Sequence, residues 1–512
     1  MAFWKPGAAG PGVDSAVHEE NAIETYKTAS KHLSIEQFRT SLPVFKHSLP
    51  IYNVIEKELL YLVDNYQVVI VVGQTGSGKT TQIPQYLYEA NWSRDGKVIA
   101  CTQPRRVAAS SVAIRVAEET SSTLGELVGY AVRFEEKFDP SKTRIKYMTD
   151  GLLFREAMFD PLLSRYSVIM IDEAHERSLY TDLLLGLLKK IIKKRPELKI
   201  IISSATLDAE KFFLFFNESD KKEKSVEKEK NKKELNQMDK KETIQIDKNG
   251  KNSAFILSVQ GRMFPVSIFH LSHPIDRYIE ELVEIVWKIH TTEADGDILA
   301  FVTGREEIER VIELLQDKKG SKALILPLFA GLTMEQQMRV FEKTPNNCRK
   351  IIVATNIAEA SVTIDNIVYV VDCGYEKIRI FNPKNGMDAL VVCEISQASA
   401  MQRTGRAGRV RPGKAFRLYT EEKYANMRPN SVPEIQRCNL ANVIIQLKAL
   451  GIENICKFDF ISPLSADFVE RALEVLYSLQ ILDENAKLTQ PLGYQIAEFP
   501  LEPLAAKMVR IS

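Results

Sequence analysis

The segment of this chain with the clearest chemical potential is Gly73–Thr81, which reads GQTGSGKTT. It follows the apolar run Val68–Val72 and precedes a stretch of helical character, so it forms a turn between a buried strand and a helix. Small residues let backbone N–H groups and a helix N-terminus face a phosphate. Lys79 supplies a charge for the β and γ phosphates, and the Thr80 hydroxyl can hold Mg²⁺. The predicted contacts to a nucleoside triphosphate are Gly73, Gln74, Thr75, Gly76, Ser77, Gly78, Lys79, Thr80 and Thr81.

A second polar segment, Asp172–His175, reads Asp-Glu-Ala-His and directly follows the apolar run Val168–Ile171. Ligands of doubly wound sheets bind at the carboxyl ends of strands, which puts this turn beside the phosphate-binding loop. Asp172 can hold the Mg²⁺ that Thr80 also binds, and Glu173 can orient and deprotonate an attacking water. The pair predicts hydrolysis of the bound triphosphate.

The third candidate segment, Gln402–Arg409, reads QRTGRAGR. If it is helical, Gln402, Arg406 and Arg409 share one face, and such arginines could neutralise charge in a phosphoryl-transfer transition state. Arg403 points off that face. For Arg403, a basic patch facing RNA is an equally good interpretation.

Two blocks of alternating apolar strands and amphipathic helices must position these segments, which indicates an α/β fold. The first block covers 42–216 and the second 253–430, with a hairpin at 375–395 marked by an Asn-Gly turn. Both are interpreted as RecA-like parallel-sheet domains that open and close around a nucleotide. Helical patterns follow at 431–498, and residues 1–41 read as a loose tail.

A lysine- and glutamate-rich stretch at 217–252 separates the two blocks. Its mixed charge and few apolar residues predict a disordered loop, although an arm that binds nucleic acid is the alternative.

Composition gives little direction, because 68 basic residues balance 67 acidic ones. The scattered cysteines form no C-x-x-C pair, so neither a zinc site nor a disulfide framework is indicated. No apolar run has the length of a membrane span, and the N-terminus has no signal-like apolar region. We therefore expect a soluble intracellular protein with no membrane partner.

Together these motifs resemble those of the DEAH-box RNA helicases of superfamily 2. Over about residues 40–512 they occur in the family's order: GQTGSGKTT, TQPRRVAA, TDG, DEAH, SAT, FVTG, ATNIAEASVTID and QRTGRAGR. The resemblance is closest to a nuclear, spliceosome-associated member. It implies two tandem RecA-like domains followed by a small winged-helix-like domain at 431–498. It also implies hydrolysis of ATP to ADP and phosphate, coupled to 3′-to-5′ movement along single-stranded RNA in pre-mRNA splicing.

The resemblance assigns further roles to residues at matching positions. It implies contacts to the RNA backbone from Arg105, Arg106, Thr149, Asp150, Thr303, Thr355 and Asn356. Such contacts predict sequence-independent, salt-dependent binding. His175 would couple the nucleotide site to Gln402 across the cleft. Ser204 and Thr206, of the Ser-Ala-Thr segment, would connect His175 to the second block, although small hydroxyl residues after strands are also common caps.

The resemblance also implies that Arg115 and Phe341 sandwich the nucleotide base, with Asp365 as a weaker nucleotide contact. Without it, Arg115 reads as a solvated helix residue and Phe341 as a core aromatic. Base stacking discriminates poorly, so we expect several nucleotides to be accepted.

Family members continue through a ratchet domain and an OB-like domain, whereas residues 499–512 resemble only the start of the ratchet. We therefore expect an intact ATP site, an incomplete RNA channel and no docking surface for a G-patch activator.

Three functions follow as hypotheses. The leading one is an RNA-dependent ATPase and helicase, or ribonucleoprotein remodeller, with spliceosomal partners in the nucleus. The second is an ATP-gated RNA-binding scaffold that does not unwind. The third is a DNA helicase, which the TQPRRVAA and QRTGRAGR variants disfavour.

Overall fold

The computed structural model describes residues 3–4, 55–74, 76–205, 209–217, 254–259, 264–318, 323–345, 348–359, 364, 366–499 and 501–511. In chain order the strands are β1 Phe3–Trp4, β2 Val68–Val72, β3 Val98–Gln103, β4 Val128–Val132, β5 Glu135–Lys137, β6 Ile145–Thr149, β7 Tyr166–Ile171, β8 Lys199–Ser204, β9 Ala254–Ser258, β10 Val266–Leu271, β11 Asp297–Phe301, β12 Ala323–Leu328, β13 Arg349–Ala354, β14 Ile367–Asp372, β15 Tyr375–Asn382, β16 Met387–Glu394 and β17 Gly413–Arg417. The α-helices are α1 Ile55–Asn65, α2 Lys79–Glu89, α3 Arg106–Glu119, α4 Asp150–Phe159, α5 Leu179–Lys194, α6 Ala209–Asn217, α7 Tyr278–Thr292, α8 Arg305–Asp317, α9 Met334–Met338, α10 Gln397–Thr404, α11 Glu421–Asn426, α12 Ala441–Ala449, α13 Ala466–Ser478, α14 Leu492–Glu498 and α15 Pro503–Ile511.

The first lobe is a sheet in the order β5-β4-β6-β3-β7-β8-β2-β9. Its pairs are parallel except for β4 with β5. Strand β2 shows why the central strands of this sheet are apolar at every position. Val68 and Ile70 pack into one hydrophobic cluster, whereas Val69 and Val71 pack into the cluster on the opposite face. A strand covered by helices on both faces has no polar side to expose.

The second lobe is a sheet in the order β1-β10-β17-β14-β11-β13-β12. Its pairs are parallel except for Phe3–Trp4, which adds antiparallel to β10 at one edge. Those two residues are the part of the predicted loose tail that the structure describes. Two parallel sheets in tandem confirm the predicted α/β architecture.

One boundary predicted between the lobes is wrong. Ala254–Ser258 was assigned to the second block, but it pairs in parallel with β2, with Val68 opposite Ala254. The first sheet therefore resumes after the charged stretch at 217–252, most of which, like the rest of the predicted loose tail, lies outside the described residues.

The 375–395 hairpin forms as the sequence indicates, with Tyr375–Asn382 antiparallel to Met387–Glu394. It rests on the region that follows the second lobe. The backbone N–H of Phe381 donates to the carbonyl of Arg437 at 2.8 Å, and the Phe381 ring contacts Phe468 edge-on at 5.8 Å between centroids.

Helices α12 to α15 form a small helical region that packs on the first lobe. Leu440, Ile444 and Leu476 belong to the same hydrophobic cluster as Leu184 of α5. The approach is close at Gly186, where a Cβ would stand 2.5 Å from the Phe458 ring, so a larger residue there would separate the two. A single antiparallel bridge joins Leu482 and Leu488 within this region. Within the described ranges, no helix combines the length and apolar character needed to cross a membrane.

Candidate functional site

The phosphate-binding loop connects β2 to α2, as its spacing predicts. Gly76 and Gly78 have φ angles of 85° and 92°, in the left-handed region that glycine adopts without steric cost. The loop closes around the Lys79 ammonium, whose Nζ donates to the carbonyls of Gly73 at 2.5 Å and Gln74 at 2.9 Å and to Ser77 Oγ at 3.3 Å. Thr75 lies outside the described residues.

Lys79 is buried, and that burial lowers the pKa of its ammonium, while the nearby carboxylates of Glu173 and Asp172 raise it. The positive charge of Arg409 acts in the same direction as burial. Groups from both lobes therefore influence one lysine. This is the first sign that the two predicted halves of the site meet.

The metal-binding residues predicted at Thr80 and Asp172 are in direct contact. The Thr80 hydroxyl donates to Asp172 Oδ2 at 2.5 Å, and Gln103 Nε2 donates to the same oxygen at 2.7 Å. The other carboxylate oxygen, Oδ1, is buried and accepts no hydrogen bond from the described part of the chain. Burial, followed by the negative charge of Glu173, raises the pKa of Asp172.

This arrangement fits a magnesium ion held jointly by protein and nucleotide. Mg²⁺ at phosphate sites usually takes one or two protein ligands and fills its octahedron with phosphate oxygens and water. Asp172 Oδ1 and the Thr80 hydroxyl supply that number. Among the described residues no group of three or more His, Cys, Asp or Glu could form an all-protein metal site.

Glu173 and His175 sit in the tight turn after β7. Glu173 has a φ of 50°, a strained value for a residue with a side chain, and only 6% of its surface is exposed. His175 Nε2 lies 3.4 Å from Glu173 Oε2, and His175 Nδ1 accepts the backbone N–H of Ala205 at 3.2 Å. The turn therefore places the Glu173 carboxylate near Lys79 of the phosphate loop, and the contacts to Glu173 and Ala205 hold the His175 imidazole in place.

The Ser204–Ala205 segment joins this turn to the phosphate loop. The Ser204 carbonyl accepts the N–H of Gly73 at 3.0 Å, and Ala205 contacts His175 as described. The sequence predicts that this segment links His175 to the second block, but its described contacts run to the phosphate loop, so that link stays a prediction. Thr206, the other residue of that prediction, lies outside the described residues.

Two arginines of the second lobe, Arg406 and Arg409, lie near the phosphate loop of the first lobe, but they do not share one helical face. Helix α10 ends at Thr404, so Arg406 and Arg409 lie in the following turn, and the predicted i, i+4, i+7 face is wrong for both. A Cβ built on Gly76 would nevertheless stand only 3.8 Å from Arg409 Nε.

Arg406 is buried. It donates to the backbone carbonyl of Glu359, and burial lowers the pKa of its guanidinium well below the usual value. The positive charge of Arg409 lowers this pKa further, and the negative charge of Glu173 raises it. Both arginines therefore lie within electrostatic range of the first lobe's phosphate site, which is the arrangement that an arginine finger requires.

Arg403 is neither a finger nor an RNA-facing residue, and both interpretations of it are wrong. Its side chain is 0% exposed, and it donates to Glu359 Oε1 at 2.5 Å and Asp372 Oδ1 at 2.7 Å. The bond to Asp372 ties α10 to β14, and the bond to Glu359 ties α10 to the Asn356–Glu359 segment of the same lobe.

The predicted RNA contacts divide into accessible and buried residues. Arg106 is exposed, while Arg105, Thr355 and Asn356 are half-buried at the junction of the lobes. Arg105 donates to the carbonyl of Asn356 at 2.9 Å and pairs with Glu176 at 3.3 Å. A cavity of about 230 Å³ opens beside them. Its lining includes Arg105, His175, Asn356, Gln402 and Arg428.

Two predicted RNA contacts are buried instead. Asp150 is 2% exposed and accepts hydroxyl hydrogen bonds from Thr181 at 2.5 Å and Ser178 at 3.2 Å. Thr303 is 6% exposed. Both side chains are therefore buried and do not line a surface, contrary to the prediction. Thr149, at the start of α4, is half-buried.

Arg115 and Phe341, predicted to enclose a base, lie in different surroundings. Arg115 Nε donates to Glu119 Oε1 at 2.8 Å on α3. Phe341 comes from the second lobe and lines a small cavity with Val107 and Ala108 of α3. The base sandwich stays a prediction, and Asp365 lies outside the described residues.

Two further residues hold the site, although their positions in the sequence give little sign of it. Gln103 ends β3 and donates to Asp172, and Tyr147 donates its hydroxyl to the Thr80 carbonyl at 2.9 Å. A polar residue that ends a buried strand was the one available signal for Gln103. Tyr147 gave none, since an aromatic in a strand is usually core.

Comparisons with known proteins agree with this geometry. The model of the DEAD/DEAH box helicase matches residues 53–212, and that of the helicase conserved C-terminal domain matches 277–411. The winged-helix model of the helicase associated domain matches 472–501.

Curated relatives extend the match to nearly the whole chain. The probable ATP-dependent RNA helicase DHX35 of Homo sapiens is 50% identical over 520 residues, covering 99% of this chain and 69% of that protein. The pre-mRNA-splicing factor ATP-dependent RNA helicase prp22 of Schizosaccharomyces pombe is 46% identical and covers 93% of this chain and 38% of its own length. The crystal structure of the Escherichia coli DEAH/RHA helicase HrpB superposes with a TM-score of 0.77 at 31% identity, over 92% of this chain and 54% of that chain.

Proposed function

The chain belongs to the DEAH-box family of ATP-dependent RNA helicases, and we propose that it couples ATP hydrolysis to 3′-to-5′ movement along single-stranded RNA. We further propose that it remodels RNA–protein complexes in pre-mRNA splicing, in the nucleus, with spliceosomal proteins as partners. The relatives' names support the second part, since one of them is a pre-mRNA-splicing factor.

The observation that carries the proposal is the approach of Arg406 and Arg409 to the first lobe. Arg409 lies beside Gly76 of the phosphate loop, and Arg406 is within electrostatic range of Glu173. A triphosphate held by Lys79 would therefore meet positive charge from both lobes. Movement of one lobe relative to the other would change the distance between these arginines and the phosphates, which links hydrolysis to lobe opening.

The hydrolytic step follows from the side chains at the loop. Lys79 and the loop N–H groups hold the β and γ phosphates, and Glu173 orients a water and accepts its proton. Arg406 and Arg409 stabilise the charge that develops on the transferred phosphate. Thr80 and Asp172 would hold Mg²⁺, which neutralises phosphate charge when bound. Arg115 and Phe341 bracket the base.

Coupling to RNA would run through the residues beside the 230 Å³ cavity. Arg105 contacts Glu176, which follows the catalytic turn, and Asn356 of the second lobe. His175 and Gln402 face the same cavity from opposite lobes. An RNA phosphate that draws Arg105 away would alter both the turn and the interlobe contact.

Unwinding of two otherwise identical RNA duplexes tests the proposal, one with a 3′ and one with a 5′ single-stranded overhang. We expect ATP-dependent strand separation with the 3′ overhang only. Separation of the 5′ substrate alone would contradict the direction. RNA binding that depends on ATP, without separation of either duplex, would leave the scaffold function instead.

A further inference from the structure

Glu119 is a buried carboxylate that contacts three side-chain N–H donors. Its Oε2 accepts from Gln82 Nε2 at 2.8 Å and from Gln85 Nε2 at 2.9 Å. Its Oε1 accepts from Arg115 Nε at 2.8 Å. The carboxylate is 1% exposed, whereas the Arg115 side chain is 36% exposed. The buried carboxylate of Glu119 therefore lies behind the half-exposed guanidinium of Arg115, the side chain proposed to stack on the base.

The position of Glu119 is otherwise unfavourable for an acid. It is the last residue of α3, where the negative end of the helix dipole disfavours a carboxylate. Its three donors satisfy both carboxylate oxygens, so these contacts account for an acid at this place.

Glu119 also connects Arg115 to the phosphate loop. Gln82 Nε2 donates to Thr81 Oγ1 at 3.1 Å, and Thr81 Oγ1 donates to the carbonyl of Gly78 at 3.3 Å. Gln85 Nε2 donates to the Thr81 carbonyl at 2.8 Å. A continuous path of hydrogen bonds therefore runs from the guanidinium of Arg115 to the left-handed glycine that shapes the loop.

The bond to Arg115 has the geometry of a positioning contact. Nε lies in the guanidinium plane, so a hydrogen bond at Nε restricts rotation of that plane. Stacking on a base requires a fixed plane, because the attraction falls when the ring and the cation are not parallel and close. Holding the plane before the nucleotide arrives reduces the entropy that binding must cost.

We propose that Glu119 is a positioning residue for nucleotide recognition: its hydrogen bond presents the guanidinium of Arg115 to the base. This inference rests on the base-stacking role of Arg115 in the proposed function.

Binding of ADP and of inorganic pyrophosphate, measured by calorimetry on the full chain, separates positioning from folding. Pyrophosphate fills the phosphate loop but has no base. We expect Glu119→Gln and Arg115→Ala each to weaken ADP binding roughly three- to thirty-fold, the range of a cation–π contact, with pyrophosphate affinity unchanged. The double variant should bind ADP no more weakly than Arg115→Ala alone, because both remove one interaction.

Glu118→Gln is the matched control, since this neighbouring carboxylate is exposed and should leave both affinities unchanged. If Glu119→Gln does not fold, Glu119→Asp replaces it, because Asp keeps the charge but withdraws it from Arg115.

The inference is overturned if Glu119→Gln leaves ADP binding intact, or weakens ADP and pyrophosphate binding equally, or if its effect adds to that of Arg115→Ala. Full ADP affinity in Arg115→Ala would overturn it together with the base-stacking role. Hydrolysis that RNA fails to stimulate would count against the proposed function alone.

Discussion

Arg105 of the first lobe donates a hydrogen bond to the backbone carbonyl of Asn356 in the second lobe at 2.9 Å. The same guanidinium pairs with Glu176, at the end of the turn that carries Glu173 and His175. One arginine thus contacts the catalytic turn, the opposite lobe and the cavity proposed for RNA.

Replacing Arg105 should therefore weaken RNA binding and RNA stimulation of hydrolysis together. Arg105→Gln removes one phosphate contact, so the slope of log Kd against log salt concentration for single-stranded RNA should fall by about 0.7. Fluorescence anisotropy at several salt concentrations measures that slope. Arg310→Gln is the control, because Arg310 is exposed on α8 and pairs with Glu313. An unchanged slope in Arg105→Gln would remove this residue from the RNA path.

Glu173→Gln should separate binding from turnover. The amide keeps the size of the side chain but cannot accept a proton from water, so kcat should fall roughly 10²- to 10⁴-fold while ATP affinity is retained. Single-turnover hydrolysis and equilibrium ATP binding measure the two quantities. Glu210→Gln changes an exposed carboxylate of the same lobe and should alter neither. A variant that hydrolyses ATP at the normal rate would exclude Glu173 as the base.

Arg409→Ala should lower kcat far more than it weakens ATP binding. An arginine finger contributes mainly to the transition state, and a loss of roughly 10³-fold is typical. Arg411→Ala is the matched control, since Arg411 follows in the same turn but donates to the Asp295 carbonyl. Equal effects of the two substitutions on kcat would indicate a structural role for the turn rather than a catalytic one for Arg409.

Asp150 should make stability depend on pH in an unusual direction. Burial raises the pKa of this carboxyl to about 6 in the folded protein, above its ordinary value of 3.8. The folded state therefore binds the proton more tightly than the unfolded chain does. This contribution to stability is lost as the pH rises from about 4 to about 6, and its upper bound is about 3 kcal/mol.

Asp150→Asn removes that titration, so the free energy of unfolding of the wild type should fall relative to that of the variant as the pH rises from about 4 to about 6. Urea unfolding at several pH values measures the difference between the two proteins. Asp276→Asn, at an exposed position of the second lobe, should follow the wild type. Parallel curves for Asp150→Asn and the wild type would contradict the raised pKa.

The phosphate loop and the Asp172 turn could be predicted because their information is local. An apolar run followed by Gly73–Thr81 specifies a strand, a turn and a helix start within a few residues. The carboxyl-end rule for parallel strands then brings Asp172 to Thr80, and the two are in hydrogen-bond contact.

Residues whose role depends on distant partners could not be predicted in the same way. Arg403 belongs to a basic motif, yet Glu359 and Asp372 bury it, and both partners are at least thirty positions away in the chain. Ala254–Ser258 follows a long charged stretch, and a short apolar strand does not indicate which sheet it joins. Helix α10 ends at Thr404, directly before Gly405, and the spacing of Gln402, Arg406 and Arg409 does not indicate that end.

The steady-state rate of ATP hydrolysis, measured at low salt with and without single-stranded RNA, tests the central claim most directly. The account predicts that RNA raises the rate, because the nucleotide and the strand contact the same two lobes and Arg105 lies between the two sites. It also predicts that Arg409→Ala abolishes the increase. A wild-type rate that RNA leaves unchanged would contradict the coupling on which the account rests.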